Sequence, residues 1–288
     1  MAVAAASKYL AILDKSYKKL AKSSILDVNP AWVREADVAG TFYLPELVLI
    51  GFGDYSTSTG FPDGQVNLTW VAYTYSQDRA REFSVDAVAD AEGAFVAFAN
   101  LAAEFNRAYG VPEVDAYRFA AIATAAGKDA TGTLSDAAAV VAALNTAMDT
   151  LDEAEVDDDN KVLFITAGLL RLARNAANTA ATTDALDRAT VVVVPKTRFY
   201  TALTLDAGAS AAAGGYSNNG AQLNFILMDK GAVFADAKHQ ALRTFSPNGE
   251  GGYPINQDKD GWLFQVRLCH DCWPYNNRLN GIYVHSAT

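Results

Sequence analysis

The sequence predicts an α+β fold, because segments with helical periodicity and segments with strand alternation are mixed without a regular βαβ rhythm. The chain has 288 residues, of which 51% are hydrophobic and 19% are charged, a composition typical of folded globular proteins. It contains no run of about 18 apolar residues, and lysines interrupt its first segment. We therefore expect neither a membrane span nor a signal peptide, and we expect synthesis in the cytoplasm.

The first segment has the pattern of an amphipathic helix, which Pro30 prevents from continuing. It carries five lysines against Asp14 alone, whereas the whole chain has a formal net charge of −10. We favour an arm that docks its apolar stripe on a neighbouring surface. The alternative is that the lysines face nucleic acid or an acidic partner, although five lysines make a weak basic patch. The stripe consists of Val3, Ala6, Leu10, Leu13, Tyr17 and Leu20, and the lysines are Lys8, Lys15, Lys18, Lys19 and Lys22.

Residues 41–86 lose helical periodicity and are rich in Thr, Tyr, Val and Gly. The stretch from Thr41 to Ile50 is typical of an extended strand, and turn-forming residues crowd residues 51–64. Residues 66–75 then alternate as a strand does, but neither face is clearly polar. A two-stranded hairpin with aromatic residues on both faces cannot bury them within itself. We therefore expect this hairpin to lie on another subunit.

The middle of the chain predicts a series of helices. A long helix carries an aromatic stripe and ends with a C-cap at Gly110, followed by Pro112. A second helix spans residues 112–127, and Ser135 is placed to cap a third. The stripe of the first helix consists of Phe95, Phe98, Ala102, Phe105 and Tyr109, and that of the third consists of Val140, Leu144, Met148 and Leu151.

Apolar stretches in the second half of the chain predict strands. Residues 191–194, which Pro195 follows, are apolar on both faces and are therefore expected to form a central strand of a sheet. Residues 211–220 are small and polar, which indicates a surface loop. Further strands are expected at residues 161–166, 224–228, 262–268 and 282–285, with a short helix through Arg174 after the first of these.

The motif Cys269-His270-Asp271-Cys272 is the strongest candidate for a metal site. A C-x-x-C pair supplies two ligands, a structural zinc site needs four, and the sequence contains no second pair. In a strand, side chains three positions apart point to opposite faces. We therefore expect two buried or edge thiols and no bound metal.

The acidic residues are the strongest candidate for catalysis. Nine carboxylates lie between residues 128 and 160, with Lys128 as the only base in that stretch. The three adjacent aspartates, Asp157 to Asp159, favour a solvated turn over a divalent-ion site or a catalytic pair. Asn256 begins a stretch that resembles a calcium loop, but Arg267 occupies the twelfth position, where the loop needs glutamate. Nucleotide-binding, zinc-protease and serine-hydrolase motifs are missing from the sequence. We expect no catalytic residue and no cofactor, with a carboxylate-based hydrolase as a distant alternative.

Several stretches, taken in order along nearly the whole chain, carry a resemblance to a known family. They are Gly51-Phe-Gly-Asp-Tyr55, Thr69-Trp70, Gln77-Asp-Arg-Ala-Arg-Glu-Phe-Ser-Val-Asp86, Val192-Val-Val-Pro-Lys-Thr-Arg-Phe199, Leu223-Asn-Phe-Ile226, Lys238-His239 and Gly281-Ile-Tyr-Val-His285. With the basic first helix, the glycine-interrupted hairpin, the long helix and the acidic-rimmed middle, they resemble the major capsid protein of tailed bacteriophages, which has the Hong Kong 97-type fold.

The resemblance implies a Hong Kong 97-type capsid fold with an N-terminal arm at residues 1–40 and an extended loop at residues 41–86. A peripheral domain with its spine helix would comprise residues 87–127 and 236–288, and an axial domain would comprise residues 128–235. The subunit would not be an enzyme, but would form hexamers and pentamers that close an icosahedral shell. Contacts between subunits through the extended loop are expected at Asp54, Tyr55, Trp70, Tyr73, Arg79, Arg81 and Glu82, of which the last three would lie at its hinge.

The resemblance also implies partners and a location. The lysines of the arm would face the interior and packaged double-stranded DNA, which would be bound without sequence specificity. A portal protein would be a further partner, and because the basic helix starts directly at Met1, a scaffold is expected to be a separate protein. The subunit would be made in the host bacterial cytoplasm and found in the virion capsid. The nearest alternative is an encapsulin-like nanocompartment, which shares the fold but holds a cargo enzyme.

A covalent cross-link between subunits is predicted to be absent. Some proteins of this family join subunits through an isopeptide bond between an asparagine and a lysine of the extended loop, but residues 44–85 contain no lysine. Denaturing gel electrophoresis of assembled particles is therefore expected to show one band at the mass of a single subunit. A ladder of covalent multimers would contradict this expectation.

Overall fold

The computed structural model shows two compact units, each built around its own sheets. The smaller unit is Val28–Ser76, and the larger unit combines Met1–Asp27 with Gln77–Thr288. The structure describes residues 21–27, 34–35, 41–48, 50–58, 60–62, 64, 67–86, 104–177, 184–210, 213–247, 249, 254–257 and 260–288.

The smaller unit contains a three-stranded antiparallel sheet in the order β1-β2-β3. Its strands are β1 (Arg34–Glu35), β2 (Thr41–Val48) and β3 (Asn67–Thr74). The two long strands pair from Thr41 opposite Thr74 to Val48 opposite Asn67, which confirms the predicted hairpin. The short β1 adds a third strand from a segment that the sequence assigned to the arm.

The larger unit is centred on a five-stranded mixed sheet in the order β5-β13-β10-β6-β7. The central strand β10 (Leu223–Asp229) is antiparallel to both of its neighbours, β13 (Ile282–Ser286) and β6 (Lys161–Thr166). The outer strands β5 (Lys128–Thr131) and β7 (Thr190–Val194) run parallel to the strands beside them. All residues of β6 and β13 are buried, as expected for strands that are covered on both faces.

Three helices pack on one face of this sheet. They are α2 (Ala137–Glu153), α3 (Ala167–Ala177) and the short α4 (Asp184–Arg188). The predicted apolar stripe of α2 is buried, which confirms both the helix and the side that faces the core. That stripe consists of Val140, Leu144, Met148 and Leu151.

On the other face, α1 (Val111–Ala125) buries Phe119 against the sheet. The Phe119 ring meets the rings of Phe164 and Phe199 edge-on, with centroid distances of 5.1 Å in both pairs. Aromatic pairs prefer this arrangement. The same helix packs on β12 (Gly261–Pro274), so α1 joins the five-stranded sheet to a second sheet.

The second sheet has the order β11-β12-β4. The strand β11 (Val233–Phe245) forms an antiparallel pair with β12, and β4 (Gln77–Asp86) pairs along the other side of β12. The strand predicted at residues 262–268 is therefore confirmed and extends to Pro274. A short antiparallel pair, β8 (Leu203–Leu205) and β9 (Tyr216–Asn218), completes the described strands.

The prediction that a helix ends at Gly110 and Pro112 is wrong. A π-helical turn, Asn106–Gly110, leads directly into α1, and the Val111 N–H donates to the Asn106 carbonyl. Pro112 falls in the first turn of α1, where a missing N–H is tolerated. Gly110 is helical, and a Cβ there would lie 2.6 Å from Asn106 Oδ1, so this glycine permits close packing inside a continuous helical path. The expected positions Phe95, Phe98 and Ala102 lie outside the described residues.

The prediction of a central strand at residues 191–194 is also wrong, because β7 lies at the edge of the five-stranded sheet. Its valines still meet apolar layers on both faces: Val192 and Val194 pack in the core on the α1 side, and Val191 packs in the core on the α2 and α3 side. An edge strand that helices cover on both faces has the same apolar run as a central strand.

Two local expectations need correction for similar reasons. Ser135 is not the cap of α2; Asp136 is, and its Oδ1 accepts a hydrogen bond from the Ala139 N–H at 2.8 Å. Within residues 211–220, which were expected to form only a loop, Tyr216–Asn218 forms β9 because β8 supplies its backbone partners. The composition of a segment does not show whether a strand elsewhere in the chain pairs with it.

A cluster of charges fastens the acidic turn to the sheet. Lys161 is fully buried, and its Nζ contacts one carboxylate oxygen of each of Asp152 and Asp158. Arg188 of α4 donates to the same carboxylates, with Nη1 at 2.8 Å from Asp152 Oδ2 and Nη2 at 2.7 Å from Asp158 Oδ1. Hydrogen bonds from Arg188, and then from Lys161, lower the pKa of Asp152 and lower that of Asp158 to about 2. Both carboxylates are therefore paired with the two cations, Lys161 and Arg188.

Removing the cap of α2 is expected to destabilise the subunit. Asp136→Ala leaves the Ala139 N–H without its acceptor, and the free energy of unfolding should fall by about 1 kcal/mol. Ser135→Ala is the matched control and should stay within about 0.5 kcal/mol of the wild type. Urea denaturation of the unassembled subunit measures both values. An equal loss in the two variants would contradict the assignment of the cap.

Acid is expected to weaken the charge cluster. The folded pKa of Asp158, about 2, lies below the ordinary value of 3.8, so the cluster stabilises the fold above that value and loses its contribution as the pH falls toward 2. Asp158→Asn removes this titration, so the difference in Tm between wild type and variant should shrink on acidification. Thermal unfolding between neutral pH and pH 2 measures it, with Asp159→Asn as the neighbouring control. A difference that stays constant across this range would sink the prediction.

Candidate inter-subunit surface

The sheet of the smaller unit has a buried face and an exposed face. On the buried face, Phe42 and Leu44 of β2 are covered, and the Phe42 ring stacks on Tyr73 with a centroid distance of 5.9 Å. The opposite face presents Leu68 and Trp70, whose side chains are 56% and 42% exposed. Neighbouring exposed apolar side chains on one strand are typical of a surface that contacts a partner.

Trp70 and Tyr73, both predicted contact residues, lie on opposite faces of β3. Trp70 is on the exposed face, where the guanidinium carbon of Arg34 lies 5.7 Å from its ring centroid. This cation–π contact orients the indole and leaves part of it open. Tyr73 is half-buried against Phe42. Trp70 is thus accessible to a partner, whereas Tyr73 helps to hold the hairpin together.

The connection between β2 and β3, which we call the loop tip (residues 50–64), exposes a group of aromatic side chains. Ser56 and Gly60 exchange two backbone hydrogen bonds of 3.2 and 2.7 Å, and Gly60 has a φ of +82°, which favours glycine. Tyr55 and Phe61, on either side of this turn, meet at a centroid distance of 5.1 Å. They are 61% and 86% exposed, and Phe52 is fully exposed.

Of the two contact residues predicted at the loop tip, Asp54 and Tyr55, both are exposed. Three further exposed apolar side chains were not among the predicted contact residues, namely Phe52, Phe61 and, on β3, Leu68. Phe52 and Phe61 can be recognised by their position among turn-forming residues, because a turn has no core in which a ring can be buried. Among the described residues of the tip, the carboxylate of Asp54 thus accompanies three exposed rings.

The three residues predicted at the hinge, Arg79, Arg81 and Glu82, lie on β4 in the larger unit, so they belong to a different compact unit from the loop tip. Glu82 accepts a hydrogen bond from the Gln265 amide on β12 at 2.7 Å. It therefore supports the pairing of β4 with β12.

The two arginines contact their own chain. Arg79 Nε donates to Glu113 Oε1 of α1 at 2.6 Å, and its Nη2 donates to the Gly215 carbonyl at 3.2 Å. Arg81 Nη1 donates to the Ala213 carbonyl at 2.8 Å. Both arginines thus tie β4 to the connection between β8 and β9, and Arg79 also ties it to α1.

A cavity of about 370 Å³ lies between β4, the π-helical turn and residues 206–215. Phe83 and Phe105, whose rings meet at 4.9 Å, form part of its apolar wall. Its carboxylates are engaged, since Glu113 binds Arg79 and Asp206 accepts from the Gly208 N–H at 2.8 Å. The two carboxylates thus make contacts within the chain.

Buried Asp115 of α1 fixes the chain where the arm joins the fold. Its carboxylate accepts from the backbone N–H groups of Lys22 and Ser23, both at 3.0 Å, and from the Ser23 hydroxyl at 2.7 Å. Arg198 Nη1 donates to the same carboxylate at 3.1 Å. Four donors from two distant segments thus converge on one side chain.

Arg118, one turn further along α1, is also fully buried and pairs with Asp27 at 2.7 Å. Together with Asp115 it holds both ends of the described segment 21–27. Of the five lysines expected to face the interior, Lys22 lies in this segment and is exposed. Lys8, Lys15, Lys18 and Lys19 lie outside the described residues.

The Cys269–Cys272 motif lies within β12. Both cysteines are buried free thiols, as expected, and burial raises the pKa of Cys269 to about 11 and that of Cys272 to about 12. His270 is fully buried against the Tyr117 ring, and desolvation lowers its pKa to about 3. In the described part of the chain, no group of three or more His, Cys, Asp or Glu residues is arranged to hold a metal.

In the acidic middle of the chain, Asp152 and Asp158 are paired with Lys161 and Arg188. Within the ranges that the structure describes, no helix is long and apolar enough to cross a membrane.

Comparison with known proteins identifies similar structures. No protein-family model matches the sequence, and a search of curated proteins finds no significant match. The mature capsid of bacteriophage PhiM1 aligns with a TM-score of 0.58 and 11% identity, over 88% of this chain and 83% of that chain. The capsid of cyanophage P-SCSP1u aligns with a TM-score of 0.52 and 14% identity, over 88% and 85%. A virus-like particle from Pyrococcus furiosus aligns with a TM-score of 0.55 and 14% identity, over 98% and 99%.

The alignments extend over most of both chains in each pair, so the likeness lies in the whole architecture and not in one motif. At such low identities it is a likeness of fold. It confirms the fold that the order of sequence segments predicted. The chain has the Hong Kong 97-type fold of tailed-phage major capsid proteins.

Proposed function

We propose that the chain is a structural subunit of an icosahedral phage head and self-assembles into hexamers and pentamers that enclose a double-stranded DNA genome. The observation that carries this proposal is the alignment with two phage capsid structures over 88% of the chain in each case. The exposed rings of the loop tip support it, because a subunit that shields them in an assembly gains from their burial. No catalytic role is included.

In this proposal the loop of one subunit lies on the next, and repeated contacts of this kind close a symmetric shell. The arm comprises residues 1–40, the extended loop residues 41–86, the peripheral domain residues 87–127 and 236–288, and the axial domain residues 128–235. The pairing of β4 with β12 suggests that the free part of the loop ends near Ser76. Asp54, Tyr55 and Trp70 are then the predicted contact residues that a neighbour reaches most directly.

The proposed partners follow from the same assignment. They are other copies of the chain, a portal protein, a separate scaffolding protein and the packaged DNA. The lysine-rich arm would face the DNA, while the net charge of −10 would keep the remaining surface from adhering to it. The subunit would be made in the host bacterial cytoplasm and act in the virion capsid.

An encapsulin-like nanocompartment shell is the second candidate. It is favoured by the alignment with the Pyrococcus furiosus virus-like particle, which spans 98% of this chain and 99% of that one. The two candidates share the assembly but differ in the contents. A phage head holds DNA, and a nanocompartment holds a protein.

The first experiment is to express the chain alone and measure particle size by light scattering and negative-stain microscopy. Closed shells, or rings of five and six subunits, are expected. Nuclease-resistant DNA inside shells formed with the neighbouring gene products would support the phage head, and a co-purifying cargo protein would support the nanocompartment. A chain that stays single even with those gene products would overturn both candidates.

The loop tip is predicted to act in assembly and not in folding. Phe52→Ser combined with Phe61→Ser should leave the unfolding free energy of the unassembled subunit within about 0.5 kcal/mol of the wild type, because both rings are exposed. The assembled fraction should fall by about tenfold, since a partner would lose two buried rings. Sedimentation velocity measures the fraction.

Ile255→Ser, at an exposed apolar residue of the larger unit, is the matched control and should assemble as the wild type does. Normal assembly of the double variant would rule out a role for the tip.

A further inference from the structure

The helices α2 and α3 each expose one stripe of side chains to solvent. The stripe of α2 begins with small residues and ends with two carboxylates, and the stripe of α3 ends with two guanidinium groups. The residues are Ala138, Ala142, Thr146, Asp149 and Glu153 on α2, and Ala167, Arg171 and Arg174 on α3. The spacings of three and four place each set along one side of its helix.

The two stripes belong to one surface. The helices pack against each other and bury Leu144, Met148 and Leu170 in a single core on the same face of the five-stranded sheet. Their solvent-facing sides are therefore neighbours, and we call them together the α2–α3 surface. It carries negative charge on one helix and positive charge on the other.

The four charges on this surface have no partner in the described part of the subunit. By contrast, Arg188 of α4 binds Asp152, the residue before Glu153, and also Asp158. Among the residues that the structure describes, none forms an ion pair or side-chain hydrogen bond with Arg171, Arg174, Asp149 or Glu153. These four side chains are therefore free to pair with charges of another molecule.

We propose that the α2–α3 surface is a contact surface for a second copy of this chain, in which Asp149 and Glu153 of one copy pair with Arg171 and Arg174 of the other. This rests on the proposed function, because it names one of the interfaces through which the subunits assemble. A surface that carries both signs in separate stripes is complementary to its own copy.

Other partners fit this surface less well. A nucleic acid attracted by the two arginines would be repelled by the carboxylates of α2 beside them. The small side chains Ala138 and Ala142 allow a second helix to approach closely, because interaxial distance depends on the side chains at the contact. Charge pairing would then fix the register of the two copies.

The test reverses the charges on one helix and then on both. In the full chain, Arg171→Glu with Arg174→Glu should lower the assembled fraction by at least about tenfold, because two attractive pairs become repulsive. Adding Asp149→Lys and Glu153→Lys should restore assembly, since every pair is again attractive with the signs exchanged. Sedimentation velocity and negative-stain microscopy measure assembly, and circular dichroism of the unassembled subunit checks folding.

The control is Arg243→Glu, the same reversal of charge at one exposed arginine of β11 that also lacks an ion pair among the described residues. It should assemble normally. The inference fails, and the proposed function stands, if the wild type assembles and the double arginine variant assembles equally well. It fails also if the fourfold variant does not recover, or if the control loses assembly to the same extent. A wild type that never assembles would overturn the inference and the proposed function together.

Discussion

A single buried carboxylate, that of Asp115, holds three parts of the larger unit together. A charge without access to water is costly unless donors surround it. Here the donors come from Lys22 and Ser23, where the arm joins the fold, and from Arg198, just after the edge strand β7. The same helix, α1, packs on the five-stranded sheet and on β12 of the second sheet. Its position therefore determines how both sheets and the N-terminal segment meet.

The two compact units differ in how they accommodate their charged and apolar side chains. The larger unit neutralises its buried charges internally, as Lys161 shows, and packs apolar residues on both faces of its central sheet. The smaller unit leaves rings such as Phe52 and Phe61 in water. The smaller unit thus exposes rings that the proposed contact with another subunit would cover. This difference is what a shell subunit of the proposed kind requires.

Much of the fold could be predicted because periodicity records which side of an element faces the core. The stripe of α2 and the pairing of β2 with β3 are examples. Periodicity does not record neighbours in a sheet, which is why the edge strand β7 was predicted to be central. Glycine and proline also do not show whether a helix ends or continues from a π-helical turn into an α-helix, as it does at Gly110 and Pro112.

The candidate surface was predictable only where a local signal exists. A two-stranded hairpin cannot cover both of its faces and its turn, which leaves aromatic residues such as Tyr55 and Trp70 exposed. The contacts of Arg79 with Gly215 and of Arg118 with Asp27 join residues that are far apart in the sequence. No local pattern distinguishes such arginines from ordinary surface charges, so their roles appear only in the folded chain.

The two thiols of β12 bear on the chemical stability of a shell of the proposed kind. Thiolate is the form that reacts with oxidants and with other thiols, and a raised pKa together with burial keeps that form scarce. Cys269 and Cys272 combine both properties. In a shell of the proposed kind, these thiols would therefore react slowly with oxidants and would not readily link one subunit to another.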